Sequence, residues 1–264
     1  MKPLGSHLTN ENVHSVLGFV RSAYGPHWQS PETRLPFVTI SRQAGAPGAD
    51  LGRLLVERLN DRDRRDIAAG ARPWTLWDRE LVEKVAADHH IAAPLVESLG
   101  ESHHSWLMDF LGGLSAGEHP DSADEARVFA KVASTIRALA AAGRVVIVGR
   151  GGVFITRHMP GGVHVRLVAP LERRIDRMAA HLNCPREQAA ARVREMTRTR
   201  DELYRRYWPQ EPLRPDLFTA TLNTAALSPE AVARVIVDLV RETEAALASQ
   251  RGHAHPAHHA QPTA

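Results

Sequence analysis

Three glycines, Gly45, Gly48 and Gly52, stand between an apolar run, Phe37-Val-Thr-Ile40, and an amphipathic one, Arg53-Leu-Leu-Val-Glu-Arg-Leu59. A strand, a glycine-rich turn and a helix in that order cradle anions: successive backbone N–H groups and the positive end of the helix dipole converge on one point. Phosphate is the anion such turns most often hold, and the usual loop adds a Lys followed by Ser or Thr. Here Gly48 stands near the Lys place and Asp50 near the Ser/Thr place. The candidate phosphate-contacting set is Ser41, Arg42, Gly45, Ala46, Pro47, Gly48, Ala49 and Asp50. Arg42, at the carboxyl end of the strand, is the cation that such an anion would require. Gly45 and Gly48 are expected to supply positive φ or close backbone approach, and Gly52 to let the helix pack near a strand. Asp50, in the first helical turn, suits either the helix dipole or a Mg²⁺ ion.

A second apolar run, Val145-Val-Ile-Val148, also ends in glycines, in Gly149-Arg-Gly-Gly152, which makes Arg150 a second anion-binding candidate. The densest basic stretch is Arg186 to Arg206. Helical spacing there puts Arg194 and Arg198 on one face, with Glu195 and Glu202 as alternative ion partners for Arg198. A solvated helix and a lid whose arginines neutralise a transferring phosphate both fit that pattern. Only three lysines occur, Lys2, Lys84 and Lys131, none beside a glycine turn, so any phosphate clamp must use arginine. His89-His90 and His103-His104 lack a partner carboxylate at metal spacing, and no Ser-His-Asp pattern is visible.

The elements that must position these residues follow from periodicity. Strands are expected at Phe37–Ile40, Trp74–Trp77, Val145–Val148, His164–Ala169 and Leu217–Leu222. Helices are expected at Ala49–Asn60, from Arg79 with Asp78 as its cap, and at Asp124–Ala142 stopped by Gly143. Others are expected at Leu171–Leu182, from Pro185 to Tyr207, and from Ser228-Pro-Glu to Ala248. Asp61-Arg-Asp-Arg-Arg-Asp66 reads as a solvated helix end. Apolar strands without alternation suit a parallel sheet covered on both faces, so the expected fold is α/β, an open doubly wound sheet with ligands at the strands' carboxyl ends. Residues 1–34 read as an extension and 249–264 as a disordered His-rich tail. A single cysteine, Cys184, excludes an internal disulfide and fits a cytoplasmic setting. No apolar run approaches membrane-spanning length. A net charge of +3 is too small to argue for nucleic acid, and no aromatic-studded sheet motif accompanies the basic helix.

Five segments, in order, resemble the cytidylate kinase-like family. They are Val38-Thr-Ile-Ser-Arg-Gln-Ala-Gly-Ala-Pro-Gly-Ala-Asp-Leu-Gly52, Trp77-Asp-Arg-Glu-Leu-Val82, Val146-Ile-Val-Gly-Arg-Gly-Gly152, Arg200 with Tyr204 and Tyr207, and Leu222-Asn-Thr-Ala-Ala-Leu-Ser228. The resemblance covers roughly Phe37 to Glu242. It implies a three-layer P-loop kinase fold over residues 35–248, with a helical acceptor-binding insert at about 74–127 and a lid at about 183–208. It also implies a nucleoside monophosphate as acceptor, CMP first among them, ATP as donor and Mg²⁺. In it Asp78 and Arg150 fall on the acceptor side, and Arg42, Arg198 and Arg200 on the transferring phosphate. Departures are Gly151 where cytidylate kinases carry Asp, Thr197 where the lid often has Asp, and the missing loop Lys. A kinase of the same fold with another small acceptor, and a nucleotide-binding module without turnover, stay open beside this reading.

Overall fold

The computed structural model describes residues 34–87, 120–149, 151–209 and 213–253. Nearly all of the N-terminal extension, most of the acceptor-binding insert, Arg150, both histidine pairs and the end of the tail lie outside the described residues.

Five strands form one parallel sheet: β1 (Phe37–Arg42), β2 (Thr75–Trp77), β3 (Val145–Val148), β4 (Gly162–Val168) and β5 (Ala220–Asn223), in the order β2-β3-β1-β4-β5. Each is short, the central ones are mostly apolar, and successive side chains enter opposite layers. Val38 and Ile40 of β1 and Val146 and Val148 of β3 pack on helices α1 (Ala49–Arg62) and α8 (Pro229–His253) through Leu51, Leu55, Ile236 and Val240. Phe37, Val145 and Ile147 face α4 (Pro120–Ala142) and α5 (Gly152–Thr156) through Ala133, Ile136, Leu139 and Val153. Burial on both faces explains why the central strands β1 and β3 show no alternation. The remaining helices are α2 (Arg64–Ala68), α3 (Arg79–Ala87), α6 (Leu171–Leu182) and α7 (Arg186–Tyr207).

Most boundaries follow local chemistry. Gly143 takes φ +71° and its N–H donates to Leu139 and Ala140 carbonyls, which ends α4. Asn183 closes α6 in the left-handed region. The Ser228 hydroxyl accepts from the Ala231 N–H at 3.2 Å and caps α8. Three expectations are corrected. The last strand begins at Ala220, because Pro215–Leu217 turns as a 3₁₀ helix. Helix α8 runs on to His253, because its last turns carry Ala, Ser, Gln and Arg, which continue a helix as readily as they end one. The Asp61–Asp66 run is not simply solvated. Asp63 is buried between α1 and α2, where its carboxylate accepts from Arg62 at 2.5 and 3.0 Å and from the Trp74 indole N–H at 2.9 Å.

His164 on β4 is buried against Thr39 of β1, with Nδ1 2.8 Å from the Thr39 hydroxyl. Burial pushes its pKa down to about 4. The folded state therefore holds a neutral imidazole that the unfolded chain protonates below pH 6.5. Stability from this group is full above that pH and is lost as pH falls toward 4. The linkage is worth about 1.4 kcal/mol per pH unit, up to about 3 kcal/mol in all. Urea unfolding of wild type and His164→Gln between pH 4 and 7 is expected to show the variant's stability nearly flat where the wild type declines. Parallel curves would refute the assignment.

Candidate functional site

The chain leaves β1 toward β2 on one side and leaves β4 toward β5 on the other, so the crevice between adjacent β1 and β4 is the switch point where such sheets bind ligands. A cleft of about 130 Å³ opens there. Its floor is the end of β1 and the start of the turn after it, Ser41 to Ala44, with Ser41 in register with Arg166 of β4. Gln43 ties the two strand ends, its side-chain oxygen accepting from the Ala169 N–H at 3.0 Å. One stripe of α7, Thr197, Arg200, Asp201 and Tyr204, closes the cleft from above. Spacings of three and four residues put all four on one face.

Arg42 is the half-buried centre of this arrangement. Its side chain crosses the glycine turn so closely that a Cβ on Gly48 would stand 2.5 Å from Arg42 Cδ, and one on Gly149 would stand 3.3 Å from Nη1. The guanidinium thus lies between the glycines that end β1's loop and those that end β3. Burial, then the neighbouring Arg200 guanidinium, push its pKa down to about 10. Arg200 donates from Nη1 to the Arg42 carbonyl at 2.8 Å, joining α7 to the loop. Burial lowers the Arg200 pKa as well. Tyr204 is shifted up, because burial outweighs the pull of Arg200, Arg166 and Arg42.

The loop glycines act differently from one another. Gly45 has φ +82°, and an added Cβ would stand 2.5 Å from the Arg174 carbonyl oxygen, so its bareness admits α6 rather than a ligand. Gly48 has φ −140°, outside the left-handed region, so only the close approach of Arg42 requires it. Gly52 lets α1 lie on β2, its absent Cβ 2.6 Å from Leu76 Cδ1. Pro47 is buried, and Ala46 and Ala49 are half-buried.

Two expected site residues face elsewhere. Asp50 is exposed and engaged by Arg53 at 2.6 Å and Arg177 at 3.7 Å, so its carboxylate is directed along α1 and α6 rather than into the cleft. Among the described residues no group of three or more His, Cys, Asp or Glu is placed to hold a metal. The described residues therefore offer no all-protein cage for Mg²⁺. Arg198 is exposed beside Glu202 at 3.9 Å, because it lies one residue off the inward stripe of α7. Asp78 caps α3 by accepting from the Leu81 N–H at 3.0 Å, and its charge favours the protonated form of Arg42.

Helix α7 is seated along its length. Ala189 and Val193 pack with Ile175 and Met178 of α6 and with Ala44 of the loop. At its far end Tyr207 stacks on Phe129 at 3.8 Å, and the following Trp208 stacks on Phe154 at 4.7 Å. A Cβ on Gly151 would stand 2.7 Å from Trp208 Cζ3, so the indole covers the turn that follows β3. Sequence reasoning missed Arg166 and Arg174. Arg166 carries the one signal available to it, a lone charge inside the apolar run Val163–Val168.

A three-layer sheet with its glycine turn and arginines at the β1–β4 switch point defines a P-loop kinase-like fold. The chain belongs to the cytidylate kinase-like family, whose sequence model matches residues 37–226. That membership supports a nucleotide kinase-like function. An uncharacterized protein from Eubacterium ventriosum has a similar solved structure, with a TM-score of 0.56 at 14% identity, covering 80% of this chain and 99% of that one. The likeness speaks for the fold alone. A Thermus thermophilus structure aligns over 80% of this chain and 98% of its own at 17% identity, with a TM-score of 0.37. A uronate isomerase from Corynebacterium glutamicum is 29% identical over 100 residues, which are 38% of this chain. The match spans only 18% of that enzyme's length. Among the described residues, no helix is long and apolar enough to cross a membrane.

Proposed function

We propose that this protein transfers the γ-phosphoryl group of ATP to a nucleoside monophosphate in the cytoplasm, with CMP the leading acceptor. The observation that carries the reading is Arg42 laid across Gly48 and Gly149. A guanidinium beside Gly48 would thereby take the part that lysine plays in the usual loop. An acceptor phosphate oxygen attacks the γ-phosphorus, the bond to the β–γ bridging oxygen breaks, and ADP leaves with that oxygen's electron pair. Such transfers ask the protein chiefly for positioning and charge neutralisation. The backbone of Ser41 to Ala49 and the Arg42 guanidinium would hold the donor phosphates. Arg200 would face the transferring group, while Asp78 and Arg150 belong to the acceptor side by resemblance. Mg²⁺ enters this proposal only as an ion carried with ATP, since the described residues offer it no carboxylate cage.

One observation favours a second reading, a nucleotide-binding module without turnover: Asp50 is committed to Arg53 and Arg177. A coupled ADP-release assay over a panel of nucleoside monophosphates, with other small acceptors beside them, separates the two. Turnover with CMP above the rest is the expected result. ATP binding with no acceptor phosphorylated would leave only the second reading.

A further inference from the structure

Four guanidiniums converge on the cleft between β1 and β4: Arg42 and Arg200, already placed, and Arg166 and Arg174, which no motif singled out. Arg166 rises from β4, its Nη1 donating to the Leu213 carbonyl at 3.3 Å and its guanidinium 5.6 Å from the centre of the Phe218 ring. Arg174, in the first turns of α6, donates to the carbonyls of Ala169 at 2.9 Å and Ala44 at 3.1 Å. Among the described residues, the hydrogen bonds and ring contact that hold Arg166 and Arg174 are to neutral groups. No carboxylate among the described residues forms an ion pair with any of the four. Asp201 is the one acid on the cleft wall, and it is exposed. Aligning like charges with only the distant pull of Asp78 and Asp201 to offset them costs the fold free energy, and a bound polyanion recovers it.

The cleft is also small. A volume of about 130 Å³ is well below the roughly 300–1,000 Å³ that encloses a drug-sized ligand. Among the described residues, Tyr204 and Leu213 are its only large apolar lining groups, and they present no pair of flat faces that could sandwich a base. A triphosphate chain, by contrast, brings as many negative charges as there are guanidiniums here, and its oxygens match the forked donors of arginine.

We propose that this cleft reads the phosphate chain of the donor and not its base, with Arg166 and Arg174 as two of the four phosphate readers. The inference rests on the donor-binding reading above and adds to it a substrate class: polyphosphate-bearing ligands regardless of base, inorganic tripolyphosphate included. Isothermal titration of the full chain with ATP, GTP, CTP, tripolyphosphate and adenosine tests it. The three nucleotides are expected to bind within about threefold of one another, tripolyphosphate within about tenfold of ATP, and adenosine to give no heat. Arg166→Met and Arg174→Met are each expected to weaken ATP and tripolyphosphate alike by about tenfold or more. Arg166→Lys, which keeps the charge but not the fork, is expected to fall between. Thermal melts without ligand separate a lost contact from a misfolded variant, and Arg174→Met gives a reading that does not depend on the Phe218 contact. ATP binding without tripolyphosphate binding, or both methionine variants binding as wild type does, would overturn the inference and leave the donor assignment standing. Absence of binding by every nucleotide would overturn the donor assignment itself.

Discussion

Arg42→Met is expected to weaken ATP binding by about a hundredfold, to slow any phosphoryl transfer by about 10²–10³-fold, and at the same time to raise the melting temperature. The two effects have one cause. The guanidinium is half-buried beside Arg200, has no carboxylate partner among the described residues, and has its pKa pushed down to about 10. At neutral pH it is charged in both folded and unfolded chains, so the depressed folded value measures a penalty borne by the fold. After discounting for partial exposure that penalty is on the order of 1–3 kcal/mol. Methionine keeps the aliphatic stem over Gly48 and removes the charge. For a domain of this size each kcal/mol recovered moves the melting temperature by about 2–4 °C. Calorimetric titration with ATP and a thermal melt of the same preparation read both effects. A variant that melts lower and binds ATP as well as wild type would show that Arg42 is structural and would remove the main support for the proposed function. Gain of stability at the cost of function is the usual sign of a site strained for its ligand.

Asp63→Ala is expected to destabilise the protein by about 3 kcal/mol, lowering the melting temperature by roughly 6–12 °C, with nucleotide affinity unchanged at temperatures where the variant is folded. The carboxylate is buried and joins three groups: Arg62 in two hydrogen bonds, the Trp74 indole, and Arg144 at 3.7 Å. Removing it leaves a buried indole N–H unpaired and Arg144 uncompensated, which is the costly way to break a buried pair. Arg62 keeps Glu244 at 2.8 Å, and that remaining partner sets the estimate at the lower end of the usual range. Burial alone would raise the Asp63 pKa, but hydrogen bonds from Arg62 and Trp74 outweigh it and hold the group below its ordinary 3.8. Its stabilisation is therefore complete above pH 3.8 and is lost as pH falls through the depressed value. Together with His164, whose contribution is lost between pH 6.5 and about 4, it predicts an acid-labile fold that weakens in two stages. Denaturant unfolding of Asp63→Ala as a function of pH should retain the upper stage and lack the lower one. A loss under about 1 kcal/mol would mean that water screens the cluster despite its burial.

The alternation of strand and helix, and the glycine turn after β1, were legible from residues alone because each rests on local physics. Apolar runs such as Val145–Val148 have to be buried on both faces, Pro170 and Pro185 can open helices but not continue them, and Gly143 can take a left-handed φ at low cost. Arg42 was legible for a similar reason: a charge at the carboxyl end of a buried strand needs an anion. Side-chain direction was not legible. Asp50 and Arg198 sit at positions whose residue types suit phosphate chemistry, yet each is turned outward by a neighbour, Arg53 in one case and the one-residue offset from the inward stripe of α7 in the other. Nor could spacing reveal that Asp63, in a run that looks solvated, is buried under Trp74, or that Arg166 and Arg174 reach the same cleft as Arg42 from two other elements. Strand order decides that meeting. β4 lies beside β1 although more than a hundred residues separate them in the chain, and which charges share a space is a property of packing across that distance, whereas helix, turn and cap are properties of neighbours along it.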